Sequence, residues 1–153
     1  MNKITSFTVD HDTITPGFYI SRIDGDVITF DLRTRTPNAG DYMDNLTMHS
    51  VEHMLATLLR NSADSERVIY FGPMGCQTGF YFLFDSRLLT DAEAIGLLQQ
   101  VFAAAAAFDD AMPGSSAIEC GNFANLSVKE GRRICAFYTG VIENWTVERL
   151  QYA

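Results

Sequence analysis

Between Gly17 and Arg33 the chain alternates, with Ile28, Phe30 and Leu32 pointing one way and Val27, Thr29 and Asp31 the other, and Asp24-Gly25 stands as a turn between two such runs. Period-two alternation on either side of a tight turn specifies a β-hairpin, and a hairpin commits the sheet it seeds to antiparallel pairing. Arg67 to Phe71 and Phe80 to Phe84 are β-branched and aromatic runs that predict two further strands. Between them lies a glycine-rich break, Gly72-Pro73-Met74-Gly75-Cys76-Gln77-Thr78-Gly79.

Helical signals fall between and after these strands. Thr36 to Asp41, with Pro37, Asn38 and Gly40, is a loop by composition. Leu46 to Asn61 then carries no Gly or Pro, which predicts a helix of about four turns. Thr90 followed by Glu93 is a capping-box pattern, and Leu98, Val101, Phe102 and Ala105 recur at helical spacing behind it. Met112 to Ser116 forms the exit loop. Ile118 to Phe123 reads as extended, Val128 to Val141 as helical, and Trp145 to Ala153 as a short terminal helix. No repeat or linker divides the chain, so residues 1–153 are expected to form a single α+β domain, an antiparallel sheet with helices packed on one face.

Charge narrows the function classes. Eleven Lys and Arg against nineteen Asp and Glu leave a formal charge of -8, the wrong sign for neutralising phosphates, so neither nucleic acid nor an anionic membrane is expected as a partner. The longest apolar run, Val101 to Phe108, is far short of the ~20 residues that span a bilayer, and Met1 to Asp10 has no apolar signal core, so a cytoplasmic location is expected. Three cysteines, an odd count without tight pairing, point to thiol or metal chemistry in a reducing compartment.

His49-Ser50-Val51-Glu52-His53 is the sharpest chemical motif. Two imidazoles four residues apart on a helix lie about 40° apart around its axis and can grip one metal ion. Glu52 falls close to the same stripe, while Val51, Leu55, Leu58 and Leu59 form the apolar face beside it. The plain alternative is a pair of surface or core histidines, but two of the chain's three histidines at this spacing around a Glu favour metal binding. A catalytic tetrahedral site needs a third, distant ligand, and Cys120 in Glu119-Cys120-Gly121-Asn122 is the choice, with Gly121 permitting a sharp turn. Cys135, between Ile134 and Ala136, is assigned to packing. Cys76 lies in the irregular glycine loop, where amides can stabilise a thiolate. A thiolate and a carboxylate near a divalent cation supply the two proton-transfer groups that enolisation beside a carbonyl requires.

These motifs resemble one family, S-ribosylhomocysteine lyase, the autoinducer-2 synthase. The similarity runs over most of the chain: Ser6-Phe7, Asp10-His11, Phe30-Asp31-Leu32-Arg33 before Pro37-Asn38, the His49 to His53 motif, Pro73-Met74-Gly75-Cys76-Gln77-Thr78-Gly79-Phe80-Tyr81, and Cys120-Gly121. The resemblance implies an α+β homodimer with active sites at the interface. It implies one divalent metal per chain on His49, His53 and Cys120, natively Fe(II), with Zn or Co able to take its place. The implied reaction cleaves S-ribosylhomocysteine to homocysteine and 4,5-dihydroxy-2,3-pentanedione by carbonyl migration and β-elimination. Cys76 and Glu52 are then the proton-transfer groups, Arg33 favours the thiolate, and Ser6, Phe7 and His11 line the substrate site.

Two places depart from the family pattern. Many relatives have an acidic residue six positions before the loop cysteine and a Ser before the Pro, where this chain has Tyr70 and Gly72. The segment after Cys120 lacks a common histidine, with Leu126-Ser127 in that neighbourhood. An altered or slower enzyme is therefore expected. A zinc peptidase of the inverzincin kind, with Glu130 as third ligand, is the competing enzyme reading, and a catalytically impaired binding member of the same fold is the other.

Overall fold

The structure, a computed structural model, describes all residues from Met1 to Ala153. β1 (Gly17–Asp24) and β2 (Val27–Arg33) form the expected hairpin with Asp24 opposite Val27. The turn is therefore Gly25-Asp26, one residue beyond the expected Asp24-Gly25. Gly25 has φ 61°, the left-handed value that a type II′ turn places at its first central position, where glycine is strain-free. β3 (Val68–Pro73) and β4 (Gly79–Asp85) complete a four-stranded sheet of order β1-β2-β4-β3, antiparallel throughout. Its register sets Phe18 opposite Leu32, Leu32 opposite Phe80, Phe30 opposite Phe82 and Ile28 opposite Phe84, so the large apolar side chains share one face.

Three helices cover that face: α1 (Asn45–Arg60), α2 (Asp91–Ala106) and α3 (Val128–Ile142). Each begins where a side chain satisfies an orphan amide. Asp44 accepts from the Thr47 N–H at 2.8 Å, Thr90 and Glu93 make both bonds of the capping box, and Ser127 accepts from the Glu130 N–H. Val51, Met54, Leu55 and Leu59 of α1, Leu98 and Phe102 of α2, and Ile134, Tyr138 and Ile142 of α3 bury against the sheet phenylalanines in one core. Leu58 is only half-buried, at the rim of the α1 apolar face. Cys135 is fully buried in this core, and burial pushes its thiol up to about 12, as suits a packing residue.

Two expected elements do not form. Ile118 to Phe123 is a series of turns, not a strand; the Cys120 N–H bonds back to the Ser116 carbonyl at 3.0 Å. No sheet edge lies beside this segment to hold it extended, and Ile118 and Phe123 are both exposed. Trp145 to Ala153 contains a single 3-10 turn, Val147–Arg149, because tertiary contacts claim the rest. Trp145 packs on Phe18 and Tyr19, and the Leu150 carbonyl accepts the Ile20 N–H at 2.8 Å along the free edge of β1.

The other face of the sheet carries Thr29, Asp31, Arg33, Tyr70, Tyr81 and Leu83, and no helix covers it. The segment holding Ser6, His11 and Ile14 lies against one end of it, together with Tyr152.

Candidate functional site

α1 sets His49 and His53 one turn apart, with ring centroids 4.5 Å from each other and planes nearly perpendicular. The Nδ1 of His49 lies 2.9 Å from the Asn125 carbonyl and that of His53 lies 2.8 Å from the Pro113 carbonyl. A carbonyl only accepts, so both Nδ1 atoms carry the proton and both Nε2 lone pairs are free. Cys120 Sγ stands 3.4 Å from His49 Nε2, and one ligand atom from each of His49, His53 and Cys120 falls within 4.8 Å of the others. The Asn122 N–H donates to that sulfur. Two orientated imidazoles and a thiol thus fit a borderline-soft divalent metal, and a tetrahedral ion on three protein ligands keeps a fourth position for water or substrate.

The loop that supports His53 explains a glycine. Gly114 has φ 66°, and a Cβ there would lie 3.1 Å from the imidazole. Gly121, by contrast, has no left-handed conformation, so the turn at Cys120 does not depend on it as expected. Glu52 lines the same cleft as His49, with Asn45, Pro73 and Asn122, and is not one of the three ligating groups. Glu130 lies in the first turn of α3, where its backbone N–H donates to the Ser127 cap and its carboxylate takes a hydrogen bond from Arg133 at 2.8 Å, so Cys120 and not Glu130 stands with the two histidines in the candidate ligand group.

A second group forms on the uncovered sheet face. Arg33 is buried and bonds both oxygens of Asp31, its neighbour two residues back on the same face of β2. Its Nη1 donates to Thr78 Oγ1 at 2.7 Å and stands 3.8 Å from Cys76 Sγ, which in turn lies 3.0 Å from Thr78 Oγ1. Burial works against the guanidinium charge, but the Asp31 hydrogen bond and charge outweigh it and raise Arg33 above its usual value. The Cys76 loop is pinned: Met74 N–H bonds Gly79, Met43 N–H bonds Gln77, and Thr34 and Arg35 N–H both bond Thr78. Gln77 takes φ 65°, an uncommon value for a non-glycine residue, at the tip of this loop. The thiol's partners are therefore side chains, Thr78 and Arg33, in place of the expected amides.

The LuxS family model, S-Ribosylhomocysteinase (LuxS), matches residues 4–148. The chain belongs to the S-ribosylhomocysteinase family. It is 43% identical to an S-ribosylhomocysteine lyase of Desulfotalea psychrophila over 161 aligned positions, covering 99% of each chain. It is 38% identical to the S-ribosylhomocysteine lyases of Clostridium acetobutylicum and Borrelia garinii, again over 99% of each chain.

Within this member of the S-ribosylhomocysteinase family the expected residues fall into two groups. His49, His53, Cys120 and Glu52 meet on the helical side. Ser6, His11 and Arg33 line a narrow cleft with Asp31, Tyr81 and Tyr152, and Cys76 joins them through Arg33. Phe7 joins neither, being 70% exposed. The clefts of the two groups share no lining residue. Tyr70 and Gly72 are coupled in space, since a Cβ on Gly72 would collide with the Tyr70 phenol laid over it. Residue patterns had pointed to neither Thr78 nor Tyr152, nor to the two carbonyls that orient the histidines. Asp31 was readable in principle, because a carboxylate two residues from an arginine on a strand shares its face.

Proposed function

We propose that the protein is an S-ribosylhomocysteine lyase, cleaving S-ribosylhomocysteine to homocysteine and 4,5-dihydroxy-2,3-pentanedione, the autoinducer-2 precursor. The observation that carries this reading is the convergence of His49, His53 and Cys120 beside Glu52 in a chain of this family. A divalent metal held by those three residues, one per chain, supplies Lewis-acid polarisation of the substrate carbonyl oxygen. The native metal is Fe(II), with Zn or Co able to occupy the same ligands.

Migration of a carbonyl along a sugar chain requires a proton to leave one carbon and another to arrive at its neighbour. Elimination then removes a proton beside the carbonyl and expels the sulfur from the next carbon. Cys76 and Glu52 divide this traffic. Cys76, with Thr78 and Arg33 at its sulfur, takes and returns protons as thiolate and thiol during migration. Glu52 serves the elimination and protonates the leaving sulfur. Ser6 and His11 bind substrate hydroxyl and carbonyl groups; His11 Nδ1 donates to the Val9 carbonyl at 2.9 Å, which leaves its Nε2 as an acceptor. Phe7 adds an apolar wall once a second copy covers it.

Two groups on separate clefts of one chain call for a second copy, so the functional form is a homodimer in which Cys76, Arg33, Ser6 and His11 of one protomer meet the metal group and Glu52 of its partner. No helix is long and apolar enough to cross a membrane. We place the enzyme in the cytoplasm, with a role in quorum-sensing signal synthesis. Protein loaded with Fe(II) or Co(II) should release one homocysteine thiol per S-ribosylhomocysteine consumed. A fully metallated protein that released none would overturn the reading. Peptide hydrolysis that survives both Cys76→Ala and Cys120→Ala would transfer the helix motif to a peptidase.

A further inference from the structure

Tyr152 sits outside every assigned role, yet it touches the group that holds the Cys76 thiol. Its ring stacks on Tyr19 at 4.9 Å between centroids, and its phenol donates to Asp31 Oδ2 at 2.7 Å. Asp31 holds Arg33 in both branches of its fork, and Arg33 reaches Thr78 and Cys76. The segment after α3 thus ends on a continuous line of hydrogen bonds: Tyr152, Asp31, Arg33, Thr78, Cys76. We propose that Tyr152 is a positioning residue for the Cys76 thiol, fixing Asp31 so that Arg33 stays turned toward Thr78 and the sulfur. The proposal rests on Cys76 acting as the proton carrier of the lyase reaction.

The placement follows from packing and electrostatics. Trp145 against Phe18 and Leu150 on the edge of β1 fix the path of this segment, so the phenol arrives at Asp31 without freedom to wander. Asp31 is almost fully buried, where each unpaired carboxylate oxygen is costly. With the phenol donating, part of the carboxylate charge is already taken up, and Arg33 keeps a donor and positive charge for its other partners. Without it, Asp31 draws more strongly on Arg33, and the carboxylate weighs more heavily against a thiolate nearby. The titratable groups around the sulfur are Arg33 and Tyr81, with Asp31 and Tyr152 behind them. Burial, followed by the Asp31 charge and hydrogen bond, raises Tyr152 well above the usual phenol value, so it remains a donor throughout the working range.

Tyr152→Phe removes the donor and keeps the ring on Tyr19. In the full-length metallated protein, the rate at which iodoacetamide alkylates Cys76 at neutral pH, followed by mass spectrometry without substrate, should fall roughly threefold. Turnover should fall about tenfold in kcat with KM changed less than twofold, because the phenol acts on a proton carrier and does not hold the substrate. The thermal midpoint should stay within about 1 °C of the parent, since the packing is preserved. Parental alkylation in Tyr152→Phe would overturn the proposal. So would a loss of kcat with alkylation unchanged, or a slowed alkylation that comes only with a large drop in thermal midpoint. Tyr19→Phe, which leaves the Asp31 contact intact, should alkylate at the parental rate; slowing there equal to that of Tyr152→Phe would also overturn it. Slowed alkylation in Tyr152→Phe of a protein whose parent shows no lyase turnover would uphold the positioning role and discard the lyase reading.

Discussion

Glu52 precedes His53 by one residue and still stands outside the candidate ligand set, while Cys76 lies on a loop whose Pro73 lines the cleft of His49 and Glu52 but whose thiol does not. Neither this carboxylate nor this thiol belongs to the group that could hold an ion. Glu52→Gln and Cys76→Ala are therefore expected to keep one metal per chain by elemental analysis while each loses at least ~10²-fold in turnover, the scale of a deleted general acid or base. Cys120→Ala removes one of three ligands and should lose the metal, whereas Cys135→Ala, in the core, should retain it at some cost in stability. The two histidines and Cys120 were legible because chemistry limits which side chains bind such a metal. The tether on the thiol was not. Thr78 reaches Cys76 and Asp31 reaches Arg33 across 2 residues each, but Tyr152 reaches Asp31 across 121, and that last separation leaves no local pattern. Arg33 was foreseen as the cation beside the thiol, but its charge is shared with Asp31.

Element boundaries followed local chemistry closely wherever a cap existed. The Thr90 and Glu93 pair starts α2 as its spacing required. Thr90→Ala, remote from the metal group, should cost about 1 kcal/mol and lower the thermal midpoint by about 2–4 °C in calorimetry, leaving turnover intact. At the start of α1 the side chain of Thr47, followed by its backbone N–H, holds the Asp44 carboxyl below its usual value. A depressed folded-state value makes this cap complete above the ordinary Asp titration near pH 4 and progressively lost as pH falls through the lower value. Asn caps a helix as well as Asp but does not titrate there. The thermal midpoint of Asp44→Asn should therefore fall less than that of the parent between pH 7 and pH 3. Ile118 to Phe123 and Trp145 to Ala153 were misread for a common reason: their form is set by what they pack against, and propensity carries no record of that. The first must deliver Cys120 to α1, and the second is held by β1.

On the scale of the whole molecule, the sheet has one face sealed by three helices and another bearing Thr29, Tyr70, Tyr81, Leu83 and the Asp31–Arg33 pair. The one-sided architecture was readable from the order of strand and helix signals, because a hairpin-led antiparallel sheet can leave a face open. Which candidate site residues lie on which side of the sheet was not readable, since it depends on register and on loop paths. Sedimentation at micromolar concentration should show a dimer, near twice the 17.0 kDa chain mass. The sharpest measurement coexpresses Cys76→Ala with Glu52→Gln and assays homocysteine release from the mixed, metal-loaded protein. If Cys76 of one protomer works with Glu52 of the other, each mixed dimer contains one intact site, and random pairing restores about a quarter of parental turnover from two inactive parents. Turnover no higher than that of the separate variants, in a preparation shown to contain mixed dimers, would contradict a site shared between protomers.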